Sequence, residues 1–171
     1  MAEVRKPPQT GPGAAPPQGG AAPGAGAPPP PDPAALAEID KYVAQLAKDP
    51  KSRAFAPLAD AYRKVGLYDE AIQVCLDGLK HHPTYTSGRL ALARAYLEKG
   101  KKPEAREELE RVVKAMPDNT VAQRLLAGLY AEAGEREKAV AALKAVLIFT
   151  PDDREARERL AALDPASLAA V

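Results

Sequence analysis

The stretch LADAYRKVG at 58–66 returns as LARAYLEKG at 92–100 and again as LAGLYAEAG at 126–134. Each copy begins 34 residues after the previous one. A fixed period of this length is typical of chains built from stacked supersecondary units, each of which buries its apolar face against its neighbours. The sequence therefore predicts a repeat architecture.

Rows at 52–85, 86–119 and 120–153 align six columns of identical residues. Leu and Tyr lie four positions apart, which places an apolar stripe on one helix, and the Gly four positions later suits a left-handed helix end. Ala then marks the close crossing of a second helix, and Pro ends that helix. The columns are Leu58, Leu92 and Leu126; Ala59, Ala93 and Ala127; Tyr62, Tyr96 and Tyr130; Gly66, Gly100 and Gly134; Ala71, Ala105 and Ala139; and Pro83, Pro117 and Pro151.

Each row therefore predicts two antiparallel helices joined by a tight turn. Acidic residues in the first turn of each second helix complement its dipole. Pro57 falls inside the first predicted helix, so we expect that helix to begin late or to bend. The predicted helices span 52–65, 69–82, 86–99, 103–116, 120–133 and 137–150, which makes this part of the chain all-α.

Both flanks of the rows are also predicted to be helical. The segment 32–50 opens with Asp32 as a predicted N-cap and Pro33 at the first helical position. We expect one face of this helix to cover the first row, with the side chains Leu36, Ile39, Tyr42, Val43 and Leu46. The segment 154–171 begins with a charged helix, as expected of an element that closes a stack of repeats.

The aligned columns resemble the tetratricopeptide repeat, in three consecutive units at 52–85, 86–119 and 120–153 without insertions. The resemblance implies an α-α superhelix, the tetratricopeptide repeat solenoid, with capping helices in 32–50 and 154–171. Two positions depart from the family pattern, which predicts core volumes that differ between units. The position of the first-helix Trp holds Phe55, Arg89 and Gln123, and the second-helix aromatic position holds Cys75, Leu109 and Leu143.

Residues 1–31 are mostly Pro, Gly and Ala, so little in them can be buried and we expect a disordered arm. PPPPDP at 28–33 is expected to be extended, either as a spacer or as a ligand for a partner domain. No apolar run is long enough for a membrane span, and the first residues lack the apolar core of a signal peptide. We therefore expect a cytoplasmic location, and the Ala-rich and Pro-rich composition indicates a bacterial source.

The overall charge argues against nucleic acid as a partner. The 24 basic and 23 acidic side chains give a net charge of +1, which Glu3, Arg5 and Lys6 account for. The repeats are therefore neutral, without the basic excess of a nucleic-acid-binding domain. Cys75 is the only cysteine, which excludes an internal disulfide and a zinc site built from cysteines. We expect it to be a small residue packed between helices.

Candidate catalytic groups are sparse. His81 and His82 are adjacent, so their side chains diverge at what we expect to be a solvated helix end, and neither has the zinc-site partner four residues away. The loop at 98–105 lacks the earlier glycine and the Ser or Thr of a phosphate-binding loop. Acidic residues from Glu104 to Glu110 alternate with arginines, which is typical of a solvated helix face. We predict no enzymatic activity, no cofactor and no metal.

The resemblance implies that the first helices line a concave groove that binds a partner segment. Carried onto this sequence, the predicted groove residues are Arg53, Asp60, Arg63, Lys64, Leu90, Arg94, Leu97, Glu98, Arg124, Gly128 and Glu132. The basic residues favour an acidic or carboxylate-bearing segment, with Leu90 and Leu97 as apolar anchors. The alternative is that they are ordinary solvated charges paired with Asp60, Glu98 and Glu132.

Family members that bind chaperone tails clamp a C-terminal carboxylate with Lys, Asn and Arg side chains. The corresponding positions here hold Ala56, Asp60, Ala91, Val121 and Leu125, so this ligand is not predicted. We predict a non-enzymatic adaptor or scaffold for a protein partner, present as a monomer because its last helix is charged. The alternatives are a structural subunit that self-assembles through repeat stacking and an accessory factor of a bacterial envelope machine such as a pilus, secretion or motility system.

Overall fold

The computed structural model describes residues 32–168, in which every regular element is a helix. The order of these helices confirms the predicted all-α solenoid. They are α1 (Pro33–Lys48), α2 (Phe55–Lys64), α3 (Tyr68–His81), α4 (Thr86–Glu98), α5 (Lys102–Ala115), α6 (Thr120–Glu132), α7 (Arg136–Phe149), α8 (Arg154–Leu163) and α9 (Pro165–Leu168). The arm expected at 1–31 lies outside the described residues.

The six helices predicted for the three rows are α2 to α7, and their ends lie within three residues of the predicted ends. The largest difference is the start of α2, which begins at Phe55. Pro57 is therefore the third residue of α2, where a backbone N–H would have no acceptor within the helix and its loss costs nothing. The late start that the proline predicts is confirmed.

The three aligned glycines adopt the left-handed conformation that was predicted, with φ of +80° at Gly66, +73° at Gly100 and +74° at Gly134. After each glycine, the next N–H donates to the carbonyl oxygen of the aligned tyrosine. The distances are 2.9 Å from Leu67, 2.8 Å from Lys101 and 2.8 Å from Glu135. This bond closes the turn between the two helices of a unit, and glycine adopts the required conformation without strain.

The core runs through the stack as three clusters of buried side chains, and each cluster draws on more than one unit. The aligned alanines Ala71, Ala105 and Ala139 are fully buried, as expected where two helices cross closely. Tyr96 packs against both the first and the second cluster, so it lies between neighbouring hairpins as predicted. Leu160 of α8 is also fully buried, which continues the leucine column into the last long helix.

Helix α1 covers the first unit with a narrower face than the sequence predicted. The side chain of Asp32 caps it by accepting the backbone N–H two residues on at 2.9 Å, as predicted. Ala35 is buried and Leu46 packs against the first core cluster. Leu36 and Val43 are 43% and 44% exposed, so the prediction that they share this buried face is wrong. The reason is that, among the described helices, α2 is the one that α1 packs on extensively, and one such neighbour covers only one stripe of a helix.

Polar side chains tie the first helix of a unit to the proline of the turn before it. Two of them occupy the position of the family's tryptophan, where they donate a hydrogen bond to the carbonyl oxygen of that proline. The bonds run from Arg89 Nε to Pro83 O at 3.0 Å, from Gln123 Nε2 to Pro117 O at 3.2 Å and from Arg157 Nε to Pro151 O at 2.8 Å. The recurrence of this bond in α8 shows that α8 starts like the first helix of a further unit.

Phe55 fills the corresponding position of the first unit and is 1% exposed. Its ring passes between two helical glycines. A Cβ added to Gly78 would lie 2.1 Å from Phe55 Cγ, and one added to Gly88 would lie 2.5 Å from Phe55 Cε2. A side chain at either glycine would therefore collide with the Phe55 ring.

The two adjacent histidines lie in different surroundings. His81 is exposed, as expected. His82 is half-buried, stacks on Phe55 with ring centroids 6.3 Å apart, and donates from Nε2 to the carbonyl oxygen of Lys51 at 2.5 Å. The expectation of a solvated His82 is wrong because the aromatic ring at position 55 offers the imidazole an apolar surface to cover.

Gly78→Ala is expected to lower the free energy of unfolding by about 1–3 kcal/mol, because its Cβ would overlap the Phe55 ring. Gly128→Ala is the matched control, since the nearest atom to its added Cβ is 4.0 Å away. It should raise the free energy of unfolding by about 0.5–1 kcal/mol, because alanine favours the helix. Urea unfolding followed by circular dichroism measures both, and equal changes would contradict the packing of Phe55 on Gly78.

A cluster of charges joins α5 to the turn before α7. Arg106 donates to Glu110 at 2.8 Å and to both carboxylate oxygens of Glu135, which also accepts from Lys138 at 2.5 Å. These hydrogen bonds, that of Arg106 foremost, lower the pKa of Glu135 from 4.5 to about 2. Tyr130 donates to Glu110 at 2.9 Å, and burial is the main cause that raises its pKa to about 12.

Because its pKa is depressed on folding, Glu135 stabilises the fold above its usual pKa of 4.5, and this contribution is lost as the pH falls towards about 2. Glu135→Gln should therefore destabilise the chain at neutral pH, and the difference from the wild type should shrink between these two values. Chemical unfolding at a series of pH values measures it. In an Arg106→Gln background the same substitution should have a smaller effect, and an undiminished effect would contradict the assigned ion pair.

Candidate interaction groove

The first helices of the units, together with α8, form one surface, which we call the inner groove. Arg94 of α4 reaches Asp60 of α2 with 3.8 Å between Nη1 and Oδ1. Arg124 of α6 reaches Asp153, which caps α8, with 3.3 Å between Nη1 and Oδ2. Leu90 and Leu97 of α4 pack on the core cluster that α6 completes. These contacts place α2, α4, α6 and α8 side by side.

The N-terminal half of the inner groove holds four of the predicted residues in one ion-pair network, the charged cluster: Asp60, Arg63, Arg94 and Glu98. Arg63 donates from Nη1 to Glu98 Oε1 at 3.1 Å, and its Nε lies 3.5 Å from Asp60 Oδ1. Within the described residues, neither this nitrogen nor this oxygen makes a hydrogen bond. Both atoms are buried, so the charges that a partner can reach are the exposed parts of Arg94 and Glu98.

A cavity of about 260 Å³ lies beside the charged cluster, between α2 and α4. Its lining combines apolar and polar side chains, including Ala56, Tyr85, Ser87 and Leu90 as well as Asp60 and Arg94. Leu90 is half-buried and faces this cavity, as an apolar anchor requires. Leu97 is half-buried against the core.

Three predicted groove residues lie at the edges of the surface. Arg53 precedes α2 and places its guanidinium carbon 5.1 Å from the centroid of the Tyr85 ring. Lys64 pairs with Glu38 of α1 at 3.1 Å. Glu132 pairs with Lys102 of α5 at 2.6 Å, so it turns towards a second helix and away from the charged cluster.

In the C-terminal half, the groove arginines pair with residues that the sequence reasoning missed. Arg124 lies 3.3 Å from Asp153 and 3.8 Å from Glu155, and Arg159 lies 2.8 Å from Glu155. Of the pairings that the solvated-charge alternative predicted for the groove arginines, those with Asp60 and Glu98 are present and the one with Glu132 is wrong. The missed residues belong to α8 and its N-cap Asp153, which were treated as a cap, although the 34-residue register aligns Glu155 with the predicted groove residue Arg53.

A second cavity, which we call the apolar pocket, lies between α6 and α8 and has a volume of about 250 Å³. Its lining is formed by Ala127, Gly128, Ala131, Leu143, Arg159, Ala162 and Leu163. The pocket forms because small residues occupy, in α6 and α8, a repeat position that holds charged residues in α2 and α4. That position holds Asp60, Arg94, Gly128 and Ala162 along the first helices.

The side chains with catalytic or metal-binding chemistry are not gathered in the inner groove. Among residues 32–168, no group of three His, Cys, Asp or Glu side chains is arranged to hold a metal ion. Cys75 is buried, as expected, and burial is the main cause that raises the pKa of its thiol. Within the same residues, no helix has the length and apolarity needed to cross a bilayer.

Comparison with known proteins agrees with this architecture. The family model described as the tetratricopeptide repeat matches residues 62–127 and 104–163, which together cover more than half of the chain. No curated protein sequence matches the chain.

Several solved structures share the fold at low sequence identity. A crystal structure of MamA is 22% identical, covers 75% of this chain and 76% of its own, and has a TM-score of 0.67. YrrB, described as a TPR protein with an unusual peptide-binding site, is 14% identical, with coverages of 73% and 65% and a TM-score of 0.68. The first TPR of Spaghetti (RPAP3), bound to the HSP90 peptide SRMEEVD, is 22% identical, with coverages of 78% and 94% and a TM-score of 0.58. With the family match over most of the helical region, the chain belongs to the tetratricopeptide repeat family.

Proposed function

We propose that the chain is a non-enzymatic adaptor that docks a segment of a partner protein in its inner groove. The observation that carries the proposal is the charged cluster. Asp60, Arg63, Arg94 and Glu98 form this network beside the cavity between α2 and α4, and their side chains remain 26–45% exposed. YrrB, described as having an unusual peptide-binding site, and the first TPR of Spaghetti, bound to an HSP90 peptide, support a peptide-binding role for this fold.

The groove arginines favour a segment that carries carboxylates. Arg63, Arg94 and Arg124 each pair with an acidic residue of this chain, and their side chains remain 26%, 31% and 36% exposed. The pairs of Arg63 with Glu98 and of Arg94 with Asp60 are partly exposed on both sides and contribute only about 0–1 kcal/mol, so a partner carboxylate can replace these acids at little cost. Arg124 keeps its pair with Asp153, which is 8% exposed, and can accept a partner carboxylate in place of the exposed Glu155. A guanidinium also offers two parallel hydrogen bonds to a carboxylate, which adds orientation to the contact. Leu90, facing the cavity beside the charged cluster, supplies apolar contact.

The partner can be found by affinity capture with the full chain. We infer that the adaptor acts in the bacterial cytoplasm. One role there is that of an accessory factor of an envelope machine such as a pilus, secretion or motility system. Capture from an extract of the native cell, followed by identification of the bound protein and of its binding segment, defines the ligand for direct measurements.

Arg94→Glu combined with Arg124→Glu is expected to weaken binding of the captured segment by about tenfold or more, because both guanidinium contacts become repulsive. Lys80→Glu combined with Lys114→Glu is the matched control. It makes the same change in net charge on the exposed faces of α3 and α5, and it should leave the dissociation constant unchanged. Fluorescence anisotropy with a labelled segment measures both variants. Equal binding by the wild type and the groove variant would rule out the groove arginines as ligands.

A structural subunit is the second candidate, and the exposed apolar side chains of α1 favour it. Leu36 and Val43 lie on the open side of the first helix, where a second copy could pack. At the other end, α8 presents the ion pairs Arg154–Glu158 and Arg159–Glu155, which suit water.

We expect sedimentation to give the monomer mass of 18.1 kDa across about a hundredfold range of protein concentration, since two isolated apolar side chains bury too little area for stable association. Association that increases with concentration and disappears in Leu36→Glu combined with Val43→Glu would instead favour the structural role. The double variant should otherwise sediment like the wild type.

A further inference from the structure

We propose that the apolar pocket between α6 and α8 receives one aliphatic or aromatic side chain of the docked segment, and that it selects partners by this anchor. The inference rests on the proposed function, since it concerns the same groove. The inference extends the proposed function by dividing the inner groove into a charged half that orients the partner and an apolar half that selects the partner.

The pocket depends on the absence of a side chain at Gly128. The aligned residues Asp60 and Arg94 project into the groove and build the charged cluster. At Gly128 a Cβ would meet no atom closer than 4.0 Å, so neither backbone geometry nor packing requires glycine there. Glycine inside a helix is less favourable than alanine. The absence of a side chain at Gly128 leaves open space on the groove surface, where a ligand side chain can enter.

The lining of the pocket fits an uncharged side chain. Leu143 is fully buried, while Ala131 and Ala162 stand exposed on the groove side. Apart from Arg159, which pairs with Glu155 of its own helix at 2.8 Å, the lining residues are apolar. A cationic group of the partner would lose water there without an acidic side chain in the lining to pair with. An apolar group gains about 25 cal/mol for each Å² that it removes from water.

The size of the pocket points to a single side chain. Its volume of about 250 Å³ falls below the range of about 300–1,000 Å³ typical of sites for cofactors and other small molecules. The pocket also opens onto the groove that the proposed partner segment follows. A Leu, Ile, Met or Phe side chain projecting from a docked backbone is therefore the occupant that the structure favours.

The distance between the two halves of the groove sets the spacing of the recognition motif. The charged cluster lies between α2 and α4, and the apolar pocket lies between α6 and α8. Neighbouring helices pack about 8–10 Å apart, so two steps of the stack separate the sites by about 16–20 Å. An extended chain advances about 3.3–3.6 Å per residue. The preferred segment should carry its apolar anchor about five or six residues from the carboxylate that reaches Arg94.

Selection from a displayed library of random peptides tests this inference without knowledge of the native partner. The full chain serves as bait. Enriched peptides are expected to contain Leu, Ile, Met or Phe about five or six residues from Asp or Glu. One enriched peptide, and a version with its apolar anchor replaced by alanine, are then titrated by fluorescence anisotropy.

Two variants close the pocket. Gly128→Leu fills it from the floor, and Ala131→Leu narrows its mouth. Each should weaken the enriched peptide by about tenfold to a hundredfold, and replacement of the anchor by alanine should cause no further loss in Gly128→Leu. Ala141→Leu, at an exposed position of α7, is the matched control and should bind like the wild type. Circular dichroism checks that each variant remains folded.

The outcomes separate this inference from the proposed function. The pocket inference would be overturned by enriched peptides that lack an apolar anchor, or by peptides that bind equally to the wild type and to Gly128→Leu. Binding in the groove would still stand in that case if Arg94→Glu combined with Arg124→Glu abolished peptide binding. Enrichment of no peptide would count against both. The chain could instead self-associate, with the exposed Phe149 ring of one copy entering the pocket of another; this ring is 51% exposed. Self-association that disappears in Phe149→Asp would favour this occupant and would also overturn the inference.

Discussion

The structure depends on the fact that one helical hairpin cannot bury its apolar face without the next. Tyr96 shows this constraint in a single side chain, because it packs against the core cluster of the preceding unit and against that of its own unit. The fully buried alanines set how closely the paired helices approach. The glycine turns set the angle at which the chain returns. With these distances fixed, the outward positions of the first helices are brought side by side and become available for binding.

Much of the fold could be predicted from the sequence because each repeated residue meets a local requirement. Backbone sterics alone predict three features: the positive φ at Gly66, the end of α3 before Pro83, and the late start of α2 at Phe55, two residues before Pro57. The buried alanines follow from helix crossing. Features that depend on non-repeated neighbours could not be predicted in this way. His82 stacks on a ring that only the first unit has, and Leu36 faces outwards because α1 has a single neighbour.

The candidate site was less accessible to sequence reasoning, because a side chain's position in the repeat does not fix its ion-pair partner. Arg124 pairs with Asp153 and Glu155 of α8, whereas Glu132 turns to Lys102 of α5. The 34-residue register extends to α8, because Leu160 aligns with Leu126 and Arg157 aligns with Gln123. The sequence therefore could have predicted that α8 is the fourth helix of the groove. The apolar pocket could not be predicted, because a cavity is a property of the space between helices.

We propose that recognition takes place on the first helices and that the second helices support them. Amide chemical-shift mapping of the isotope-labelled full chain, titrated with its bound partner segment, tests this most directly. The account predicts that the perturbed amides concentrate on α2, α4, α6 and α8, with α3, α5 and α7 little changed. Perturbations concentrated on α3, α5 and α7 would contradict it, because the partner would then bind the opposite surface.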